Sequence, residues 1–248
     1  MPQTECYLQW HSKPLLREIY HSFYKRIASY VQRTSQGPVV EIGSGIGAIS
    51  DIIPDCIRTD AQPGPGIDRI ENAYKLTFES GSLSNLILFD VLHHIRYPGN
   101  VLAEAKRVLT DAGRMIIFEP CISLLGRIVY GLFHREPLGL YDPIELFAPP
   151  DCPFDPADTY AAQGNPTRLF VRKEHPILLH GWRMVVCERL SAISYVASGG
   201  YSGPQLYCRR AYPLLRLLDA VLDAFPYLFA TRLLVVLEKQ IPGATQCA

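Results

Sequence analysis

The chain has 248 residues, 48% of them hydrophobic, which is enough apolar surface for one large domain and excludes default disorder. Lys+Arg and Asp+Glu number 24 each, so there is no basic field of the kind that a phosphate backbone selects; nucleic acid is not expected as partner or substrate. The seven cysteines are dispersed, odd in number and never spaced C-x-x-C, which points to reduced thiols in a cytoplasm rather than a disulfide framework or a zinc site.

The first twenty residues lack a basic-then-apolar signal pattern and read as mature protein. From Lys13 to Arg33, Leu16, Ile19, Tyr20, Phe23, Ile27 and Tyr30 recur at spacings of three and four, a helical face that Gly37-Pro38 ends. "VVEI" is a β-branched strand, the glycine turn after it opens a helix carried on by "SDIIP", and "CIRTD" is a second strand. "NLILFDVLHHI" reads as a buried strand running into a loop, "NVLAEAKRVL" as a helix, and "RMIIFEP" as the next strand. Beyond Pro120 the rhythm is lost. "LFAPPDCPFDPADTYAAQGNP", residues 146–166, is the densest loop composition, and "MVVCERL" and "RLLVVLEK" are strands separated by an insertion with an amphipathic helix from Leu214 to Leu222. The apolar run around that helix is broken by Asp219, Asp223, Pro226 and Arg232, so no integral membrane segment is expected.

Strands alternating with helices indicate a mostly parallel α/β sheet, whose ligands sit outside the carboxyl ends of the strands, at the first glycine turn. The string "GSGIGA" fits G-x-G-x-x-A of dinucleotide folds and, with the preceding acid, also E-x-G-x-G-x-G. Glu41 separates them: a carboxylate just before the turn disfavours a pyrophosphate and suits a ligand with an ammonium or sulfonium charge. With "VVEIGSGIG", "CIRTD", "NAYKLTF", "LSNLILFDVLHHI" and "EAKRVLTDAGRMIIFEP" in order, the chain resembles the class I S-adenosylmethionine-dependent methyltransferases, in the type 11-like group that carries "LHH" after the fourth strand.

The resemblance implies a Rossmann-like, seven-stranded, mostly parallel sheet with helices on both faces and the last strand antiparallel. Residues 1–36 would be an N-terminal helical cap and 37–248 the cofactor-binding domain, with acceptor or lid insertions at 121–180 and 191–229. It also implies S-adenosyl-L-methionine as cofactor, bound by Glu41, Gly43, Ser44, Gly45, Gly47, Asp60, Ala61, Asn72, Ala73, Phe89, Asp90 and His94. Asp60 would hold the ribose hydroxyls, and Asn72-Ala73 would stand where the adenine is gripped. Three departures stand out: Asn72 and Asn85 replace the family's Asp, and Asp111-Ala112 replaces Pro-Gly before the fifth strand.

His93, His94 and Glu119 are the candidate catalytic groups, with a structural or cofactor-side role for at least one histidine and an anchoring role for Glu119 as the competing readings. No metal is assigned. The expected reaction is O-, N- or C-methylation of a small or medium-sized, partly apolar acceptor of the secondary-metabolite kind, in the cytoplasm and compatible with a homodimer. Three alternatives stay open: a repurposed fold catalysing cyclisation or isomerisation, an NAD(P)-dependent oxidoreductase, and a catalytically silent partner subunit.

Overall fold

The computed structural model describes residues 3–150, 152 and 159–241. Parts of the loop-rich stretch 146–166, residues 151 and 153–158, lie outside the described residues, as does Cys247. The leading segment forms two helices, α1 (Gln3–Ser12) and α2 (Pro14–Ala28), rather than one. The break falls at Lys13-Pro14, where proline sits at the first position of α2 and lacks the amide that would continue α1.

Seven strands follow: β1 (Val39–Ile42), β2 (Ile57–Asp60), β3 (Arg69–Ile70), β4 (Leu83–Phe89), β5 (Leu109–Pro120), β6 (Trp182–Leu190) and β7 (Arg232–Lys239). Their order across the sheet is β3-β2-β1-β4-β5-β7-β6. β1 to β5 pair in parallel, and β7 runs antiparallel between β5 and β6. The expected sheet, with its antiparallel last strand, is the one observed.

Alternation along the strands builds two cores. Leu86, Leu88, Met115, Ile117 and Val235 face helix α3 (Pro98–Val108), which contributes Val101, Leu102, Ala105 and Val108. The intervening residues, Ile87, Phe89, Ile116, Phe118, Leu234 and Val236, face α2, whose Leu15, Leu16, Ile19, Phe23 and Ile27 are buried against them. β4, covered on both sides, is buried throughout, as its near-continuous apolar run requires.

The helix expected after the glycine turn is only one 3-10 turn, Ala48–Asp51. Pro54 interrupts it and β2 begins at Ile57, so too few residues remain for an α-helix. The remaining helices, α4 (Leu124–Leu132), α5 (Ile193–Ala197), α6 (Tyr212–Leu222) and α7 (Pro226–Phe229), belong to the two insertions. α6 is the expected amphipathic helix, but Leu214, Leu217, Leu218 and Val221 on its apolar side are exposed. No described helix is long and apolar enough to cross a membrane.

Two of the departures from the family pattern have structural reasons. Asn85 is fully buried; its Oδ1 accepts from Gln32 N–H at 2.8 Å while its Nδ2 donates to Gln32 O at 2.9 Å. An aspartate could not donate, so the amide is what ties the segment after α2 to the head of β4. Ala112 sits at φ 57°, a left-handed conformation that the family's glycine adopts without strain.

Candidate active site

The turn after β1 carries Gly43, Gly45 and Gly47 at φ 70°, 57° and 73°, so all three glycines are required by backbone conformation. The Val91 side chain lies against Gly43, leaving no room for a Cβ there, and the Gly66 carbonyl does the same at Gly47. At Gly45 a Cβ would meet nothing within 4 Å: this is the open side of the turn. Asp60, at the end of β2, holds the turn, its Oδ2 accepting from Gly45 N–H at 3.0 Å and its Oδ1 from Gln62 N–H at 3.1 Å. A carboxylate has further lone pairs, so this anchoring leaves acceptor capacity for ribose hydroxyls. Ala61 follows it, half-buried.

Glu41 is 1% exposed, and neither carboxylate oxygen has a hydrogen-bond partner among the described residues. Burial lifts its carboxyl to about 7, although the nearby Ser44 and Tyr24 hydroxyls favour the charged form. An orphaned buried acid is costly unless a donor or a cation meets it. Beside an open glycine turn, it fits a ligand carrying an ammonium group, as S-adenosylmethionine does. The third expected contact is less free. Asn72 Oδ1 accepts from Tyr74 N–H at 2.9 Å in a local turn, so the amide presents mainly its NH2 group, with Ala73 half-buried next to it.

Phe89 and Asp90 end β4. Phe89 stacks on Tyr20 of α2, centroids 5.2 Å apart and planes 18° from parallel. Asp90, at φ 55°, turns its carboxylate onto the guanidinium of Arg232, the first residue of β7. Arg232 is 2% exposed and ringed by Tyr195, Phe118, Phe23 and Phe89 at 4.4 to 5.9 Å. It was visible in the sequence only as a break in an apolar run; its pairing with Asp90, far away in the chain, was not. Without Asp90 a buried cation would stand where a sulfonium is expected, so the pair keeps this corner close to neutral.

The "LHH" segment is a 3-10 turn, Leu92–His94. Glu119 at the end of β5 is fully buried and caps that turn: Oε1 accepts from Val91 and Leu92 N–H at 2.8 and 2.5 Å, and Oε2 meets His93 Nδ1 at 2.6 Å. Burial works against a charge on His93, but Glu119, Glu136 and Asp90 outweigh it and raise the ring to about 10. His94 behaves oppositely, its pKa lowered first by burial and then by the neighbouring His93 charge; its Nδ1 lies 3.3 Å from the Tyr160 carbonyl. Glu136, in the segment after α4, approaches both rings, at 3.6 Å from His93 Nε2 and 3.9 Å from His94 Nε2. In sequence it was one letter of the polar interruption "HREP".

The three variable segments converge on these strand ends. Lys13 Nζ, at the start of α2, donates to Gly200 O and Gly203 O at 2.9 and 2.8 Å, tying down the "SGGYSG" loop. Tyr195 and Tyr201 of that insertion pack edge-on against Tyr20. From the other insertion, Ala162 N–H donates to His93 O at 2.8 Å.

Residues 40–117 match the type 11 family model described as a methyltransferase domain. Among solved structures, a possible histamine N-methyltransferase of Thermotoga maritima is 15% identical, with a TM-score of 0.54 over 94% of this chain and 95% of that one. An S-adenosylmethionine-dependent methyltransferase of Archaeoglobus fulgidus is 12% identical, with a TM-score of 0.53 over 90% of this chain and 94% of that one. A [4+2]-cyclase, SpnF, is 10% identical, with a TM-score of 0.50 over 89% and 81%. A search of curated proteins found no match. At these identities the solved structures speak for the fold, and the matched segment contains the glycine turn, Asp60, the "LHH" turn and most of β5. Residues 40–117 thus match a methyltransferase domain, within a chain whose fold is that of S-adenosylmethionine-dependent methyltransferases.

Proposed function

We propose that the protein transfers the methyl group of S-adenosylmethionine to an O, N or C atom of a small or medium-sized, partly apolar acceptor. The observation that carries the reading is the buried Glu41 carboxylate near the end of β1, just before the glycine turn, neither of whose oxygens has a hydrogen-bond partner among the described residues. When bound, the cofactor supplies an electrophilic methyl on sulfonium, so the protein's own task is to bind, align and exclude water.

Glu41 would meet the ammonium group, Asp60 the ribose, and the Asn72-Ala73 turn the adenine edge. Ser44 is buried in the turn, its hydroxyl donating to Glu41 O at 3.3 Å, and supports the turn's shape. The aromatic residues Tyr20, Phe23, Phe89, Phe118, Tyr195 and Tyr201 favour an acceptor with apolar surface over a highly charged one. The balance of charge within the Asp90–Arg232 pair suits passage of a methyl group from a cation. Proton removal from an acceptor O–H or N–H is assigned to His94, whose pKa burial lowers, with Glu119 as the positioning residue of the turn that carries it.

The test is calorimetric titration with S-adenosylmethionine, S-adenosylhomocysteine and NADPH, followed by turnover with a panel of phenolic, terpenoid and amine acceptors. Binding of the first two and release of S-adenosylhomocysteine on turnover is the expected result. Product formation without S-adenosylhomocysteine, as a cyclase would give, or preference for NADPH, would overturn it.

A further inference from the structure

Two histidine rings in the "LHH" turn have both of their Nδ1 atoms committed outward and both of their Nε2 atoms directed toward one carboxylate. His93 Nδ1 is 2.6 Å from Glu119 Oε2, and His94 Nδ1 is 3.3 Å from the Tyr160 carbonyl oxygen. A carboxylate and a carbonyl only accept, so each Nδ1 carries the hydrogen, and an ion that displaces any proton on Nε2 would find a lone pair there on each ring. One ligand atom each from His93, His94 and Glu136 lies within 4.8 Å of the others. The separations, 3.6 Å from His93 Nε2 to Glu136 Oε2 and 3.9 Å from His94 Nε2 to Glu136 Oε1, exceed hydrogen-bond length. They are near the roughly 3.4 Å that separates two donors on a tetrahedral ion with bonds of about 2.1 Å.

We propose that His93, His94 and Glu136 form a divalent-metal site with an open coordination position, suited to Zn2+ or another borderline first-row ion. Two imidazoles and one carboxylate select such ions over Mg2+ or Ca2+, which prefer all-oxygen sets. The surroundings have the form that metal ligands need: histidines oriented by a carboxylate and a carbonyl through their far nitrogens, and a carboxylate ligand that is itself hydrogen-bonded. Gln163 supplies that last bond, its Nε2 donating to Glu136. Gln163 is 1% exposed and its Oε1 has no partner among the described residues. A water on the ion would give that oxygen a donor.

A protonated His93 between two glutamates accounts for one ring only. It explains neither why the His94 Nε2 faces the same carboxylate nor the orphaned Gln163 oxygen. His94 and Glu136 side chains are 44% and 32% exposed, so ion and ligand can reach the site from the acceptor side. The open position would take water or an acceptor oxygen. Only that last consequence rests on the methyl-transfer reading; binding of the ion does not.

The experiment uses the full chain stripped with chelator and titrated with Co2+, read by visible d–d absorption, with Zn2+ competition by calorimetry. One equivalent bound with an intense visible band is expected. His94→Ala and Glu136→Gln should each abolish the band, while Glu119→Gln should weaken affinity about 10- to 100-fold. Cys152→Ser, at an exposed cysteine, should leave the titration unchanged. Circular dichroism confirms that each variant is folded; half-exposed His94 makes its alanine variant the decisive one. Absence of binding at millimolar Co2+, or a band that survives His94→Ala and Glu136→Gln, overturns the site. A metal titration that succeeds while S-adenosylmethionine fails to bind would overturn the methyl-transfer reading and leave the metal site standing.

Discussion

Burial of Glu41 makes its role measurable through pH. The carboxyl, lifted by burial to about 7, must ionise to meet a cationic ligand. Affinity for S-adenosylmethionine should therefore rise as pH is raised through about 7, and Glu41→Gln should lose about 10- to 100-fold and flatten that dependence, both by calorimetry. Stability of the ligand-free protein runs the other way. The folded pKa lies above the ordinary 4.5, so the folded state binds the proton more tightly, and stability should fall as pH rises from about 4.5 to 7. A pH-independent affinity in the native protein would refute the assignment.

Asp90 and Arg232 make a second prediction at the same scale. Removing Asp90 leaves a 98%-buried guanidinium uncompensated, whereas removing Arg232 leaves a carboxylate that still reaches solvent. Asp90→Ala should cost roughly 3 kcal/mol or more in denaturant unfolding, and Arg232→Met distinctly less. The reverse order would mean that the pair is held by something other than burial of the cation.

At the scale of elements, β5 carries a strained residue near its start. Ala112 occupies a left-handed conformation, which costs an L-residue about 1 kcal/mol that glycine avoids. Ala112→Gly should therefore stabilise the protein by about that amount, less the extra entropy of the unfolded chain, as a raised midpoint of thermal unfolding. The Lys13 contact tests the lid. Its ammonium bridges two carbonyls of the 199–203 loop, and Lys13→Met should loosen that loop, seen as faster amide exchange there, and raise KM for the acceptor more than Kd for the cofactor. Equal effects on both ligands would place the loop over the cofactor instead.

For the whole molecule, α2 closes one face of the sheet over Ile87, Phe89, Ile116 and Phe118. A chain starting at residue 37 would expose that face, so it should fail to give soluble folded protein, checked by circular dichroism and gel filtration; a folded, monomeric product would make residues 1–36 a detachable cap. Read from the chain alone, the sheet and the glycine turn were legible because each of their signals is local. β-branched runs, the glycine turn with Glu41, and Asp60 at the end of the neighbouring strand each sit within a few consecutive residues whose conformation they dictate. The one-turn helix after Gly47 was misjudged because the start of β2 limited it, and periodicity does not report that limit. Tertiary structure alone decided the rest. Asp90 meets Arg232 because the end of β4 and the start of antiparallel β7 lie on either side of β5, and Glu136 meets His93 and His94 because the segment after α4 folds back over the "LHH" turn. Those partners are far apart in sequence and share no spacing. Only the packing of elements supplies the desolvation that makes their charges matter.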